Sequence, residues 1–427
     1  MQIRFYKLRS AIFLVPSLLT RLRKNLSARL KTSSSARSMT SSLVSFLATL
    51  LATLLLKLVA HSPAKSIPSL LVSLLITVLS IFSLPAQVQA ETPRFAQVSP
   101  RTVLSFPRDF GAHPDFRTEW WYATGWLQTA DGQQLGFQVT FFRSATEHER
   151  SNPSKFAPKQ LIVAHAALSD PAIGKLQHDQ RVARAGFGLA QVAESTTDIK
   201  LGKWSMRRAA DGRYHVTLPA RDFSFDLTLT PTQPVLLQGV QGYSRKGPKP
   251  EQASHYYSEP QLQVSGAITR NGKTITVNGS AWLDHEWSST VLDPKAVGWD
   301  WVGANLDDGR ALMAFRIRGA DGSSLWQHAS LREKDGRLTQ VNGDAIRFTP
   351  VRFWRSPRTQ ARYPVEVTLE IKQQRWQLRP LQDDQELDSR QSTGAVYWEG
   401  AVTLERNGRR DGRGYLEMTG YVKPLKL

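Results

Sequence analysis

Asp-Gly and Asn-Gly dipeptides recur between short runs of alternating apolar and polar residues, and they constrain the fold of this chain more than any other feature. Both dipeptides supply the positive φ angles that tight β-hairpins require. Many short strands separated by turns at regular spacing are typical of an antiparallel sandwich or barrel. The dipeptides include Asp131-Gly132, Asp211-Gly212, Asn271-Gly272, Asp308-Gly309, Asp321-Gly322, Asp335-Gly336 and Asn407-Gly408.

The segments beside these turns alternate aromatic or β-branched residues with polar ones, a pattern that predicts strands. We therefore expect an all-β protein. A helix remains an open alternative for Leu161–Leu168, where the apolar run is continuous. The predicted strands are Leu135–Phe142, Tyr214–Leu218, Phe223–Leu229, Gln261–Ile268, Thr274–Leu283, Ala311–Ile317 and Val365–Ile371.

Two similar blocks occur in the same order in each half of the chain. Trp121–Gly125 precedes the turn at Asp131, and Trp299–Gly303 precedes the turn at Asp308. Each half then closes on a Tyr-x-Glu block, an Asn-Gly turn and a strand that begins with glycine. This order predicts an internal duplication. We expect a leader at 1–90, one β-barrel-like domain at 91–290 and a second at 291–427.

The leader combines basic residues with two apolar stretches. Residues 1–90 contain eleven Lys or Arg and no Asp or Glu, so most of the net charge of +19 lies there. The apolar stretches are Leu43–Ala60 and Ile67–Leu84, and Val88 and Ala90 have the spacing that signal peptidase requires. The alternatives to cleavage after Ala90 are an uncleaved anchor and a membrane hairpin. A hairpin would return the globular part to the cytoplasm, whereas we expect an extracytoplasmic (periplasmic or secreted) protein that contacts the membrane only through its leader.

Composition excludes several classes of function. Residues 91–427 carry a net charge of +8 with both signs mixed, which favours a solvated surface, so we expect no nucleic-acid partner. The absence of cysteine excludes disulfides, thiolate metal sites and a cysteine nucleophile. Neither a Gly-x-Ser-x-Gly elbow, a His-Glu-x-x-His motif nor a dinucleotide fingerprint occurs. We expect no cofactor and no metal site.

The densest cluster of polar and aromatic residues is Trp282-Leu-Asp-His-Glu-Trp287. On a strand, His285 and Trp287 share one face, and Asp284 and Glu286 share the other with Trp282. A histidine beside an indole can act as an acid or donate a hydrogen bond to a ligand. The alternative is that a carboxylate holds His285 and that the pair fixes the domain junction.

A second cluster covers Arg117–Tyr122. Glu119 and Trp121 share one face of the predicted strand, and Trp120 and Tyr122 share the other. Further along, Trp299 and Trp301 share a face opposite Asp300. Aromatic residues at a period of two form barrel cores more often than ligand platforms, and both interpretations stay open for these residues.

Together these blocks resemble the AttH-like and carotenoid 1,2-hydratase (hydroxyneurosporene synthase) family of lipocalin-like proteins. The resemblance spans residues 106–421, and it implies two lipocalin-like antiparallel β-barrel domains in tandem, in agreement with the internal repeat. It rests on Phe106–His113, Thr118–Gly125, Ala281–Trp287, Gly298–Trp301 and Tyr397–Gly400.

The resemblance also implies a chemistry. Hydratases of this family add water across a terminal double bond of a polyene, which requires an acid that protonates carbon and aromatic faces that tolerate the cation. The family's histidine and tryptophan match His285 and Trp287. Its downstream tyrosine and acid fall at residues 312–318, which hold no carboxylate here. Asp300 and Glu286 are candidates to replace that acid, and Asp284 is a candidate to orient His285.

We therefore expect a protein that binds an apolar small molecule or lipid, isoprenoid-like in character, with acid–base catalysis by His285 and by Asp284, Glu286 or Asp300. The alternatives are a non-catalytic lipid carrier or sensor, and an envelope-assembly partner without a ligand cavity. A titratable group of shifted pKa facing the ligand distinguishes the enzyme from the carrier. The expected ligand-binding residues are Trp120, Trp121, Tyr122, Trp287, Trp299 and Trp301.

Overall fold

The computed structural model describes residues 95–146, 148, 151–290 and 292–425. The predicted leader, with its apolar stretches and cleavage site, lies outside these residues. Within the described part of the chain, no helix is long and apolar enough to cross a membrane. The described residues all belong to one compact unit, Thr92–Leu427.

A first antiparallel sheet takes up the described residues as far as Thr290. Its path is β4–β3–β2–β1–β13–β12–β9–β8–β7–β6–β5, and β10 and β11 pair with β12. The strands are β1 (Thr118–Thr129), β2 (Gln134–Ala145), β3 (Gln160–Ser169), β4 (Leu176–Arg184), β5 (Ala190–Val192), β6 (Asp198–Leu201), β7 (Trp204–Arg208), β8 (Tyr214–Pro219), β9 (Phe223–Thr230), β10 (Leu236–Leu237), β11 (Tyr243–Arg245), β12 (Ala253–Arg270) and β13 (Lys273–Thr290).

A second antiparallel sheet follows, with the path β17–β16–β15–β14–β23–β22–β20–β19–β18, and β21 pairs with β22. Short 3-10 turns occur at Arg108–Phe110 and Gly343–Ala345. The strands are β14 (Ala296–Leu306), β15 (Ala311–Gly319), β16 (Ser324–Arg332), β17 (Leu338–Asn342), β18 (Ile346–Arg355), β19 (Arg362–Ile371), β20 (Gln374–Pro380), β21 (Glu386–Ser389), β22 (Ala395–Arg406) and β23 (Arg409–Met418).

Each sheet pairs its first strand with its last strand, β1 with β13 and β14 with β23. The two sheets enclose separate cores. The fold is therefore all-β, with two lipocalin-like antiparallel β-barrel domains in tandem, as the sequence predicts. All seven predicted strands lie within observed strands.

The turn dipeptides behave as expected at their glycines. All seven glycines have positive φ, from 72° at Gly272 to 91° at Gly309. Asn271 and Asn407 also have positive φ, at 49° and 53°, so these two turns have both central residues in the left-handed region.

The alternative of a helix at residues 161–168, which the sequence leaves open, is wrong. Residues 161–168 form most of β3 and not a helix. Ile162, Ala164 and Leu168 pack in the core of the first barrel. The opposite face is also buried and bears His165, which contacts Tyr397 of the second sheet. Burial on both faces explains the continuous apolar run.

A third apolar cluster joins the two barrels. It takes side chains from the outer faces of both sheets, and we call it the interbarrel cluster. Large side chains of this kind contribute about 1.5–3 kcal/mol each when buried. Its aromatic members are Tyr122, Trp126, Tyr256, Trp282, Trp301, Phe315 and Tyr415.

Candidate functional site

The strand pair β1–β13 carries most of the predicted site residues. Trp121 lies opposite His285, and Tyr122 lies opposite Asp284. Successive side chains on a strand point to opposite faces, so this pair of strands presents two different groups. One group points into the first barrel, and the other points towards the second barrel.

The inward group centres on Glu119, which is fully buried. Its Oε1 accepts hydrogen bonds from His113 Nδ1 at 2.7 Å and His285 Nε2 at 2.8 Å. Its Oε2 accepts from Arg143 Nε at 2.7 Å and from the backbone N–H of His113 at 2.9 Å. Both carboxylate oxygens of Glu119 thus accept at least two hydrogen bonds. We call Glu119, His113, His285, Arg143, Asp109 and Tyr257 the histidine network.

The two histidines of this network carry different charges. His113 lies between Glu119 and Asp109, whose Oδ1 is 3.0 Å from Nε2, so both ring nitrogens donate. Burial opposes the charge of His113, but its bonds to Asp109 and Glu119 outweigh burial and raise its pKa. Burial lowers the pKa of His285 to about 4, although Glu119 opposes that effect. His285 is therefore neutral at physiological pH.

A neutral His285 has a defined tautomer. Glu119 only accepts hydrogen bonds, so Nε2 of His285 carries the proton, and Nδ1 accepts from the Tyr257 hydroxyl at 3.0 Å. The ring stacks on Trp121 at 4.4 Å between centroids, and His113 stacks on Trp287 at 3.6 Å. Glu119 and Tyr257, not Asp284, orient His285, so that expectation from the sequence is wrong.

The pKa of Glu119 lies well below its usual range. Burial acts in the opposite direction, but the hydrogen bonds from His113 and His285 and the charge of Arg143 prevail. A carboxylate that is always ionised, with a paired cation on each side, forms a closed network. This geometry supports the structural alternative for His285. In that alternative, the network holds strands β1 and β13 to the segment that precedes β1.

The same network contains the one group of metal-ligand type found among the described residues. The ligand atoms of His113, Glu119 and His285 lie within 4.8 Å of one another. Asp109 and Tyr257 stand behind the two histidines, as outer partners of metal-bound histidines do. Arg143, however, already neutralises Glu119 at 2.7 Å. The expectation that the chain has no metal site stays a prediction.

The outward group contains Asp284, which is buried at the edge of the interbarrel cluster. Tyr256 Oη donates to its Oδ2 at 2.7 Å, and Ser258 Oγ and Trp282 Nε1 each donate to its Oδ1 at 2.6 Å. Burial raises the pKa of Asp284 to about 7 against the effect of these three donors, and the charge of Glu286 adds to the increase. A carboxyl group with this pKa is suited to exchange a proton near neutral pH.

Two glutamates of the second barrel extend this acidic region. Glu399 on β22 lies directly opposite Glu417 on β23. Tyr122 Oη donates to Glu399 Oε2 at 3.0 Å, and Trp299 Nε1 donates to Glu417 Oε1 at 3.1 Å. Together with Asp284 they form what we call the acid cluster. Glu399 is buried and Glu417 is partly exposed.

Both glutamates favour the protonated form. Burial raises the pKa of Glu417 to about 8, and the charges of Asp284 and Glu286 act in the same direction, while Trp299 opposes them. Burial and the charge of Glu417 also raise the pKa of Glu399 well above its usual range. Like charges on facing strands repel, so the pair holds at least one proton at neutral pH.

Aromatic rings surround the acid cluster. Trp301 packs edge-on against Tyr122 at 5.5 Å and Trp282 at 6.5 Å, and its indole N–H donates to Tyr256 Oη at 3.2 Å. Trp299 and Trp120 are partly buried and pack against the same apolar cluster. Indole and phenol faces attract positive charge. A cation next to these rings is therefore stabilised without a carboxylate in direct contact with it.

Three buried polar atoms beside the acid cluster have no hydrogen-bond partner among the described residues: Thr124 Oγ1, Gln138 Oε1 and Glu399 Oε1. Thr124 lies two residues from Tyr122 on the same face of β1 and directly opposite Gln138 on β2. Buried polar atoms are normally paired, so this region has spare capacity for a polar group or for water.

The other predicted acids are ion-paired. Glu286 pairs with Lys246 at 2.9 Å and also accepts from Ser254. Asp300 lies on the opposite face of β14 from Trp299 and Trp301, where Arg316 and Arg318 bind it at 2.6 Å and 3.1 Å. The structure thus groups Tyr122, Trp299 and Trp301 with Asp284 and Glu286. It places Trp120 at their margin and leaves Asp300 apart. It buries Trp121, His285 and Trp287 on the opposite face of β1 and β13, with Trp287 packed against Leu104 and Phe110.

Sequence reasoning missed Glu399 and Glu417 as site residues. Both occur in the second-half copies of the repeat, in Tyr397-Trp-Glu399 and in the strand that begins at Gly414. For Glu399 the available signal was an acidic residue in a strand that is otherwise buried on both faces. Pairing between β22 and β23 brings the two glutamates together. No spacing in the sequence indicates that β23 also pairs with β14.

A model of the AttH-like family matches residues 97–421. The crystal structure of a Nitrosomonas europaea protein provisionally named AttH is 58% identical, with a TM-score of 0.73, and the match covers 77% of this chain and all of that one. Kievitone hydratase from Nectria haematococca is 14% identical with a TM-score of 0.59, over 76% of this chain and 95% of its own. Comparison with curated protein sequences finds no match.

Proposed function

The chain belongs to the AttH-like family, and we propose that it binds a small apolar molecule between its two barrels and adds water to a carbon–carbon double bond by acid–base catalysis. The observation behind this proposal is that carboxyl groups of raised pKa lie beside indole rings. Glu417 combines a pKa of about 8, partial exposure and a hydrogen bond from Trp299. It is the most exposed member of the acid cluster.

Each step of hydration has a candidate group. Glu417 gives its proton to one alkene carbon, and the neighbouring carbon becomes cationic beside the Trp299 and Trp301 rings. Water then bonds to that carbon and loses a proton to a carboxylate. Asp284, with a pKa of about 7, is ionised in part at neutral pH and accepts that proton. The proton count balances, because one acid loses a proton and another gains one.

The roles differ from those that the family resemblance implies for His285. His285 stacks on Trp121 on the face of β13 opposite Asp284, and its pKa of about 4 leaves no imidazolium to donate a proton at neutral pH. We therefore infer a positioning role for His285, through Glu119. The kievitone hydratase comparison supports the proposal only by showing that a hydratase has this fold.

A lipid carrier is the second candidate function. A cleft of about 580 Å³, whose lining includes no member of the acid cluster, has several apolar lining residues. That cleft favours ligand binding without turnover. It also disfavours the assembly-partner hypothesis, which requires that no sizeable cavity be present.

The test of the enzyme proposal uses the full chain incubated with isoprenoid alkenes, such as geranylgeraniol and squalene, in water labelled with ¹⁸O. We expect labelled alcohol whose rate of formation falls as the pH rises through about 8, because the acid form of Glu417 is the active one. Glu417→Gln should lower the rate by about 10²-fold or more. Glu405→Gln is the matched control on the same sheet, because Glu405 pairs with Arg379 at the surface.

Unchanged turnover in Glu417→Gln would remove this residue from the mechanism. Alkene bound by the wild type without any labelled product would favour the carrier. Substrates outside the isoprenoid class are covered by repeating the labelling with the apolar extract of the source cells.

Export is a further part of the proposal. Ile67–Leu84 followed by Val88-Gln-Ala90 has the composition of an export signal, and cleavage there leaves Glu91 as the first residue. N-terminal sequencing of the protein from the extracytoplasmic fraction tests this directly. A start at Glu91 supports cleavage, whereas an intact leader in the membrane fraction supports an anchor.

A further inference from the structure

A cleft of about 580 Å³ lies between the segment Gln233–Gln241 and the hairpin formed by β16 and β17. Its volume is in the range of small-molecule sites. Val240 and Leu338 stand at its rim with 71% and 37% of their surface exposed. Arg332 and Lys334 supply basic groups, and Glu333 supplies a carboxylate.

Arg332 is unusual among the buried basic residues that the structure describes. Arg143 pairs with Glu119, Arg318 with Asp300, and Lys246 with Glu286. Arg332 is equally buried, with 7% of its surface exposed, yet it forms no ion pair with a described carboxylate, Glu333 included. It donates instead to the carbonyl of Pro234 at 2.7 Å and to the side-chain oxygen of Gln233.

A buried cation without a counter-ion is costly, because its hydration is lost and no attraction replaces it. Burial accordingly lowers the pKa of Arg332, and no acid opposes that effect. Two neutral oxygens occupy only part of a guanidinium that carries five N–H groups. The remaining donors are suited to an anion in the cleft that Arg332 lines.

We propose that this cleft is a second ligand site, which binds a small amphipathic carboxylate with its head at Arg332 and its apolar chain along Val235, Leu237 and Leu338. The planar guanidinium matches a carboxylate by two parallel hydrogen bonds. Glu333 on the same cleft favours a singly charged head over a doubly charged phosphate, because like charges repel. This site is separate from the acid cluster and does not rest on the hydration chemistry.

The test compares two ligands of equal chain length, octanoate and 1-octanol, by titration calorimetry on the full chain. We expect octanoate to bind the wild type at least tenfold more tightly than octanol. Arg332→Gln should weaken octanoate at least tenfold and leave octanol unchanged. Arg337→Gln is the control, since Arg337 is exposed on the same hairpin beside Asp335.

A second variant keeps the test decisive if Arg332→Gln does not fold. Leu338→Glu leaves Arg332 in place but puts a carboxylate directly across the hairpin from it, where this carboxylate competes with the ligand's head, so the variant should weaken octanoate at least tenfold. Equal affinity for octanoate and octanol in the wild type overturns the proposal. So does undiminished octanoate binding in folded Arg332→Gln or in Leu338→Glu. Neither result bears on Glu417, whose role is measured by turnover.

Discussion

Asp284 and His285 are neighbours in the chain, but strand alternation gives them different surroundings. Asp284 faces the second barrel beside Tyr256 and Trp282, and His285 faces the first core beside Trp121. Burial favours the neutral form of both, so it raises the pKa of one and lowers that of the other. The sequence predicts this division of faces, because it depends only on the period of a strand. It does not predict which face meets the acids of the second barrel.

His285→Ala tests the positioning role. The change removes a donor to Glu119 and the acceptor of Tyr257, and it leaves space beneath Trp121. We expect the free energy of unfolding to fall by about 3–4 kcal/mol, measured by urea denaturation. His215→Ala, at a partly buried site on β8, should cost much less. Full stability of His285→Ala combined with lost turnover would show instead that His285 is catalytic.

The acid cluster also couples stability to pH. The pKa of Glu417 rises from 4.5 in the unfolded chain to about 8 in the folded one, so the folded chain binds more protons between these values. Its contribution to stability is complete below pH 4.5 and is lost as the pH rises through 8. Between pH 6 and 9, we expect the free energy of unfolding to fall by about 1–2 kcal/mol less in Glu417→Gln than in the wild type. Parallel losses in the two proteins would mean that Glu417 titrates normally.

At the scale of the element, the hairpin turns and strand faces followed from local chemistry. Each Asn-Gly or Asp-Gly dipeptide specifies its turn through two adjacent residues, so the local sequence is enough to predict these turns. β3 misled that reasoning because its outer face is covered by the second barrel, and a strand buried on both sides loses its alternation. Partners distant in the chain, such as Tyr122 and Glu399, follow from topology, which no local pattern contains.

Glycines let the first and last strands of each barrel approach. A Cβ on Gly279 would lie 1.9 Å from the carbonyl oxygen of Trp126, and one on Gly414 would lie 2.5 Å from that of Gly303. Gly279→Ala should therefore lower the free energy of unfolding by about 2–3 kcal/mol, as measured by chemical denaturation. Asn278→Ala, exposed on the same strand, is the control. An unchanged stability of Gly279→Ala would contradict the observed closeness of β1 and β13.

At the scale of the whole molecule, polar and apolar contacts join the barrels. Trp126 Nε1 donates to the carbonyl of Gly414 at 2.9 Å, and Asn305 Nδ2 donates to that of Ala281 at 2.9 Å. The interbarrel cluster buries aromatic rings from both sheets around these bonds. The domain boundary near residue 290 stays a prediction, because these contacts bind the two sheets into a single compact unit.

Such an interface predicts joint unfolding of the barrels. Trp126→Phe removes one hydrogen bond between them and should destabilise the protein by about 1 kcal/mol. We expect hydrogen exchange to accelerate equally in β8 of the first barrel and β19 of the second. Faster exchange confined to the first barrel would show that the two barrels unfold independently.

Hydration by this route requires a carboxylic acid between the barrels that keeps its proton at neutral pH. The most direct measurement is a ¹³C NMR titration of the full chain labelled at its glutamate carboxyl carbons, with Glu417 assigned from the signal lost in Glu417→Gln. We expect that signal to titrate near pH 8, because burial and the charges of Asp284 and Glu286 raise its pKa to about 8. Titration near 4.5, the ordinary value for glutamate, would contradict the role of Glu417 as the proton donor in hydration.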